Sequence, residues 1–197
     1  MIDRADHAQL KVFLNQTVQM GEDVWEACLP AWRPFSAKRR TILTAAGDRE
    51  RYLYFVLEGI QRVFFLTEDG AKEATLVFMY APSLSGVADS FLGQHPSRFY
   101  LETLTESRFL RISYASFMEQ CLTFPEMNRL SLALAATAFE GVLLRQAELQ
   151  TAGAEAKFRA LLERSPHVLN LIPHKYLASY LGIDPATFSR LLGSVKL

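Results

Sequence analysis

Between residues 41 and 112 the apolar residues fall in short β-rich runs, and that pattern limits the possible folds more than any other feature of the chain. Thr41-Ile42-Leu43 ends in the turn signal Ala46-Gly47-Asp48. Tyr52-Leu53-Tyr54-Phe55-Val56-Leu57 is bounded by Glu58-Gly59, and Val63-Phe64-Phe65-Leu66 runs into the hairpin turn Glu68-Asp69-Gly70. Thr75-Leu76-Val77-Phe78-Met79-Tyr80 stops at Pro82, and Phe99-Tyr100-Leu101 and Phe109-Leu110-Arg111-Ile112 complete the set. Aromatic and branched runs punctuated so closely imply a closed antiparallel sandwich or roll, not a parallel sheet.

Helical patterns flank this region. Residues 6–35 carry apolar stripes at Leu10, Phe13, Leu14 and at Val24, Trp25, Cys28, Leu29, broken by Gly21 and closed by Pro30 and Pro34. After Ile112, Ser113 is placed to cap a helix containing Phe117, Met118 and Cys121. Pro125 opens a long helix in which Met127, Leu130, Leu134, Thr137, Gly141, Leu144 and Glu148 follow steps of three and four. That is a seam of about three heptads, read as a dimerisation helix over 125–150. The competing reading is one amphipathic helix lying against the roll. Gly153 marks the start of a last helical segment with Phe158, Leu161 and Leu162 as its core face.

The C-terminal residues read as two short helices and a tight turn. Pro173 suits a first helical turn, and Leu177, Ala178 and Leu181 share one side. Gly182 suits the left-handed residue that ends a helix, and Asp184-Pro185 restarts one with a capping carboxylate and a proline. In the second helix Phe188, Leu191, Leu192 and Val195 form an apolar back, opposite Ala186, Arg190 and Gly193. Such a helix can pack on its own domain and still present a side chain to base edges. A plain helical cap would show the same pattern.

Composition narrows the class. The chain has 197 residues, 50 % hydrophobic and 21 % charged, enough for one good core and a small second one. No apolar stretch is expected to reach the roughly 18 residues of a membrane span. The first residues, Met1-Ile2-Asp3-Arg4-Ala5-Asp6, are unlike a secretion signal, and a cytoplasmic protein is expected. Cys28 and Cys121 show no metal or redox spacing, although a bridge between them stays open. Net charge is zero, but its distribution is uneven. Residues 153–197 hold Lys157, Arg159, Arg164, Lys175, Arg190 and Lys196 against Glu155, Glu163 and Asp184, leaving +3 there and −3 for the rest. That tilt has the sign a DNA-binding segment needs.

In this order of parts, Arg51-Tyr52-Leu53-Tyr54-Phe55-Val56-Leu57-Glu58-Gly59, Asp69-Gly70-Ala71-Lys72-Glu73, the Pro82–Phe91 cassette and Leu181-Gly182-Ile183-x-Pro-x-Thr-x-Ser-Arg stand out. Together they make the chain resemble a bacterial transcription factor of the Crp/Fnr (catabolite activator) family over nearly its whole length. The resemblance implies an α+β fold: an N-terminal double-stranded β-helix or jelly roll of the cyclic-nucleotide-binding kind over 1–124, the dimerising helix over 125–150, and an all-α, winged-helix-like helix-turn-helix domain over 153–197. It implies a homodimer on double-stranded DNA.

The resemblance also frames the ligand question. Family members that bind cyclic AMP use a Gly-Glu pair for the ribose hydroxyl and, about ten residues later, an Arg-Ser pair for the phosphate, because the anion wants a guanidinium and the hydroxyl an acceptor. Here Gly86 is present, but Val87 stands at the acid, followed by Ala88 and by Asp89 as the nearest substitute. The Arg-Ser order is reversed to Ser97-Arg98, and one residue of offset turns Arg98 to the other face unless a bulge restores it. The pocket is read as degenerate, with no cofactor, cyclic AMP not bound in the family manner, and an unknown small effector or none.

For DNA, the family's reading helix carries a Glu and two Arg. Aligned on Gly182 and Thr187, Pro185 and Ala186 replace the first Arg and the Glu, and Arg190 stands at the second Arg. Arg190 is the expected guanine contact, Ala186, Thr187 and Ser189 lie on or beside the reading face, and His174, Lys175 and Ser179 are candidates for phosphates. Enzyme readings find no support. His7, His95, His167 and His174 are scattered, and no metal spacing, nucleophile constellation or phosphate-binding glycine loop occurs. No iron–sulfur cysteine cluster and no membrane partner are expected. The remaining alternative is a ligand-sensing or interaction module without DNA binding.

Overall fold

The computed structural model describes residues 4–194. Val195, expected on the apolar back of the last helix, and Lys196, counted in the basic tail, lie outside the described residues, as do Met1-Ile2-Asp3. Contacts group the chain into two compact units, Met1–Val63 with Phe78–Ala138 and Phe64–Val77 with Phe139–Leu197.

The first unit opens with α1 (Arg4–Asn15) and α2 (Glu22–Cys28), a 3-10 turn at Leu29–Ala31, and then β1 (Arg33–Ala37). The helical pattern expected over 6–35 therefore stops short, and Pro34 and Phe35 lie in a strand. Proline is tolerated there because β1 is the edge of its sheet, pairing only with β8 (Ser107–Ser113). The other strands are β2 (Ile42–Thr44), β3 (Tyr52–Glu58), β4 (Ile60–Leu66), β5 (Glu73–Tyr80), β6 (Ser83–Ser85) and β7 (Tyr100–Thr103). They form two sheets, β1-β8-β3-β6 and β2-β7-β4-β5, with antiparallel pairing in every register resolved. This is the closed antiparallel roll expected from the punctuated runs and the jelly roll that the resemblance implies. The strand β6 was hidden because Ser83-Leu84-Ser85 lacks the aromatic and branched residues that mark the others.

Alternation along β3 divides its side chains between two cores. Leu53, Phe55 and Leu57 face the helical side, where Leu10, Leu14, Trp25, Cys28, Trp32, Phe117, Met127 and Leu130 are buried with them. Tyr52, Tyr54 and Val56 face the interior of the roll with Phe109, Leu101, Met79 and Val87. The helical side is tied by polar bonds that satisfy buried groups: Trp25 Nε1 donates to Asn15 Oδ1 at 3.2 Å, and Gln120 Nε2 donates to the Cys28 carbonyl at 2.9 Å. Both cysteines are free and buried, which closes the question of a bridge. Burial, with Cys121 adding to it, pushes the Cys28 thiol up to about 11. In the roll, Arg62 and Glu102 form a buried ion pair at 2.8 Å.

Ser113 caps α4 (Tyr114–Thr123), its hydroxyl accepting from the Ser116 N–H, as expected. Pro125 opens α5 (Pro125–Thr151). The expected seam takes a different course. Met127 and Leu130 are buried in the helical core, and Leu134 packs against it. Leu132, Phe139, Val142 and Leu149 form one exposed apolar row with Leu143 at its flank, and Leu144 is exposed on the other side of the helix. The first members of the expected seam are therefore taken by the core, while Thr137, Gly141 and Leu144 are exposed; heptad steps alone do not say which row the core takes. By length and composition alone α5 could cross a membrane, contrary to the expectation that no stretch would reach that length.

The second unit contains the β4–β5 turn, the rest of α5, and α6 (Ala154–Arg164), α7 (Val168–Leu171), α8 (His174–Leu181) and α9 (Pro185–Ser194). Phe158, Leu161, Leu162, Val168, Leu177, Leu181, Phe188 and Leu191 are buried. Leu192, expected on the same apolar back, is 38 % exposed.

Removing one partner of a buried ion pair leaves the other charge uncompensated, so Glu102→Ala is expected to cost about 3–5 kcal/mol. Urea denaturation followed by tryptophan fluorescence measures it.

Candidate functional site

The roll interior and the α8–α9 hairpin hold the candidate residues. In the roll, Gly86 has φ +152°, a conformation that side chains rarely adopt, and a Cβ there would lie 4.0 Å from Glu50 Oε2. The neighbouring Val87 is 2 % exposed, part of the interior core, and offers no polar atom beyond its backbone. Its N–H is already engaged, donating to Glu50 Oε2 at 3.2 Å.

Glu50 is the residue that sequence reasoning missed. It is 1 % exposed and lies in the loop between β2 and β3. Its carboxylate accepts from Thr44 Oγ1 at 2.7 Å, from the Val87 N–H and from the Tyr52 N–H at 3.3 Å. Its own N–H donates to Ser90 Oγ, whose hydroxyl donates to the His95 carbonyl. One acid thereby binds the β2–β3 loop, the start of β3 and the entry to α3 (Ala88–Gly93). A carboxylate thus meets the Gly86-Val87 backbone although Val87 itself has none. Burial pushes the Glu50 carboxyl up, and the Thr44, Val87 and Tyr52 hydrogen bonds oppose the push.

The anion-binding half of the cassette is arranged otherwise than in the family pattern. Ser97 is buried, and its hydroxyl is closed on Phe99, donating to the carbonyl and accepting from the N–H. Arg98 is exposed beside it. Ala88 and Asp89 lie in the first turn of α3, and both are exposed. Gly86 and Val87 are brought to Glu50; Arg98 and Asp89 face solvent.

The second candidate site rests on turn chemistry that the sequence shows well. Gly182 has φ +65°; its N–H donates to the Ser179 carbonyl at 3.0 Å and the Ile183 N–H to the Ala178 carbonyl at 3.1 Å, a Schellman closure of α8. Asp184 caps α9, accepting from the Thr187 N–H at 2.9 Å and from Thr187 Oγ1 at 2.6 Å. These bonds hold the Asp184 carboxyl below its usual range. Phe188 is fully buried, edge-on to Phe158 at 5.3 Å and tilted against His174 at 5.2 Å.

The exposed front of α9 holds Ala186, Ser189 and Arg190. Thr187 is spent on the cap. Ser189 Oγ donates back to the Pro185 carbonyl, which leaves the Arg190 guanidinium as the long polar group on this face. Lys175 is exposed, with Nζ over the Tyr176 ring at 4.7 Å, and His174 is exposed at the start of α8. Ser179 is differently employed: its hydroxyl accepts from the Thr75 N–H at 2.9 Å and donates to the Glu73 carbonyl at 3.3 Å. It covers backbone groups on the free edge of β5. Lys157, counted toward the basic tilt, is 7 % exposed and lies on the buried side of α6. Among the described residues no cluster of three or more His, Cys, Asp or Glu could hold a metal ion.

Comparison with known proteins agrees with this architecture. Residues 34–124 match the cyclic nucleotide-binding domain family. FixK2 from Bradyrhizobium japonicum has a similar structure, with a TM-score of 0.73 at 16 % identity, covering 82 % of this chain and 83 % of that one. A structure described as a Crp/Fnr-family transcriptional regulator from Eubacterium rectale gives 0.69 at 16 % identity, covering 88 % and 82 %. The catabolite activator protein of Thermus thermophilus gives 0.57 at 22 % identity, covering 90 % and 87 %. No curated protein matches the sequence. Residues 34–124 thus carry the match to the cyclic nucleotide-binding domain, and the chain has the fold of these solved structures.

Because the folded Glu50 carboxyl takes up its proton more readily than an unfolded one, the folded state binds more protons above the ordinary carboxylate pKa of 4.5. Stability contributed by this group is present below that value and is lost as pH rises through the raised pKa. In a pH series of urea denaturation, Glu50→Gln is expected to remove that decline, so that the difference between variant and wild type changes with pH only across this window.

Proposed function

We propose that this protein is a dimeric DNA-binding transcriptional regulator of the Crp/Fnr type whose nucleotide cassette no longer takes cyclic AMP in the family manner. The observation that carries the DNA-binding half is the α8–α9 hairpin: a Schellman turn, an Asp-capped second helix, a buried Phe188 back and Arg190 exposed on the front. Arg190 reads a guanine through its in-plane donors, and His174 and Lys175 lie where they can meet phosphates. Ser179 is removed from that set by its bonds to β5.

Dimerisation is assigned to the exposed row of α5. Leu132, Ala135, Phe139, Val142, Gln146 and Leu149 follow alternating steps of three and four, and Phe139 and Val142 are each 65 % exposed. A row this apolar on a helix surface requires cover, and a second copy supplies an identical row across a two-fold axis. The altered cassette is supported by the buried Val87, the closed Ser97 and the exposed Arg98. We assign the chain no enzymatic activity and no resident cofactor, and place it in the cytoplasm, where its DNA would be.

Selection from fragmented genomic DNA with the full chain tests the proposal. Recovery of a two-fold symmetric site, bound less tightly as salt rises, is expected. Failure to enrich any fragment would favour a ligand-sensing module that does not bind DNA. On the recovered site, Arg190→Ala is expected to cost about 1–3 kcal/mol and to relax preference at one base pair per half-site. Phe139→Glu is expected to give a monomer by sedimentation and to weaken DNA binding by roughly tenfold or more, because the two reading helices lose their linkage. The same substitution at Leu144, off the row, is expected to leave the dimer intact.

A further inference from the structure

One polar row crosses the inner face of the sheet β1-β8-β3-β6. The register sets Arg33 opposite Arg111, Arg111 opposite Tyr54, and Tyr54 opposite Ser85. Residues directly opposite in antiparallel strands project to the same side. That side is the roll interior, since Tyr54 is buried there with Phe109, Val56 and Val87.

The row places two guanidiniums opposite one another, an arrangement that repels. Among the described residues neither lies at ion-pair distance from a carboxylate. Other arginines of this unit are neutralised, Arg62 by Glu102 and Arg108 by Asp6 and Glu58. Arg111 is nevertheless held firmly, its Cζ 4.0 Å from the centroid of the Phe35 ring and 4.2 Å from that of Tyr52. Stacking leaves the edge of a guanidinium for hydrogen bonds; Arg111 spends one donor on the Tyr54 hydroxyl and keeps the others for another group.

At the other end of the row Ser85 is 2 % exposed, and its Oγ has no hydrogen-bond partner. A buried hydroxyl normally has one, so this end is polar and unsatisfied. Glu50 is committed to Thr44, Val87 and Tyr52 and does not neutralise the arginines. Arg111 and Ser85 are on strands separated by one other, so their backbones are about 10 Å apart.

We propose that Arg33, Arg111, Tyr54 and Ser85 form a binding site for a small organic anion. Its carboxylate or phosphate sits on the edges of the two guanidiniums, and a second polar group of the same molecule meets the Ser85 hydroxyl. The site is separate from the Ser97-Arg98 pair, which lies in the loop before β7. Bidentate pairing favours such a planar or tetrahedral anion over chloride.

Calorimetry on the full chain with inorganic phosphate and with acetate, at ionic strength matched by chloride, tests this. Saturable binding of either anion is expected, and the one preferred tells phosphate from carboxylate chemistry. Arg111→Gln abolishes it, Arg33→Gln weakens it roughly tenfold, and Arg98→Gln leaves it unchanged. Arg33 is exposed, so its variant keeps the test decisive if Arg111→Gln fails to fold. No binding of either anion beyond chloride would overturn the proposal, as would wild-type affinity in Arg33→Gln or a loss confined to Arg98→Gln. None of these measurements involves DNA, so their failure leaves the regulator reading separately testable.

Discussion

The buried carboxylate of Glu50 is the interaction on which the roll's functional end depends. A carboxylate at 1 % exposure is tolerated only when its oxygens are satisfied, and here a side-chain hydroxyl and two backbone N–H groups do so. Those three donors come from β2, from the first residue of β3 and from the residue before α3. The acid therefore fixes the backbone around Gly86 and Val87. It also gives the interior a negative group there, while the same sheet carries Arg111 and Arg33. A cyclic nucleotide brings a phosphate and wants an acceptor for its ribose. Glu50 spends its oxygens on Thr44, Val87 and Tyr52, and the arginines stand at positions other than those of the family cassette.

The C-terminal unit is organised around a second polar junction. Arg145 on α5 stacks on the Tyr180 ring at 4.0 Å and donates to the Tyr180 carbonyl at the end of α8. It also pairs with Glu148 at 2.5 Å, and Glu148 is 3.4 Å from Arg164 at the end of α6. Leu149 stands against Gly182, where an added Cβ would lie 3.3 Å from its Cδ2. The turn that defines the hairpin is thus built directly on the long helix.

Local chemistry was legible in the sequence wherever a residue acts on its immediate neighbours. Ser113 as a cap, Gly182 as a helix end, and Asp184-Pro185 as a restart all depend on bonds that span a few residues, and each stands as expected. Most strand runs were legible for the same reason, except β6, whose serines carry no strand signal, and β1, whose Pro34 was read as closing a helical region. What the sequence could not show depends on partners far along the chain. Ser179 looked free for phosphate until Glu73 and Thr75 reached it. Glu50 gave no sign because its donors Thr44 and Val87 come from either side of β3. Met127 and Leu130 were placed on the α5 seam because they fit a heptad as well as a core, and the core holds them. Arg98, whose face the reversed pair left open, is exposed.

The central proposal is a DNA-binding regulator whose roll cyclic AMP does not control. The direct measurement is the affinity of the full chain for its selected DNA site, at fixed salt, with and without saturating cyclic AMP. The account predicts the same affinity in both conditions. A rise of roughly tenfold on adding the nucleotide, about 1.4 kcal/mol of coupling, would contradict it.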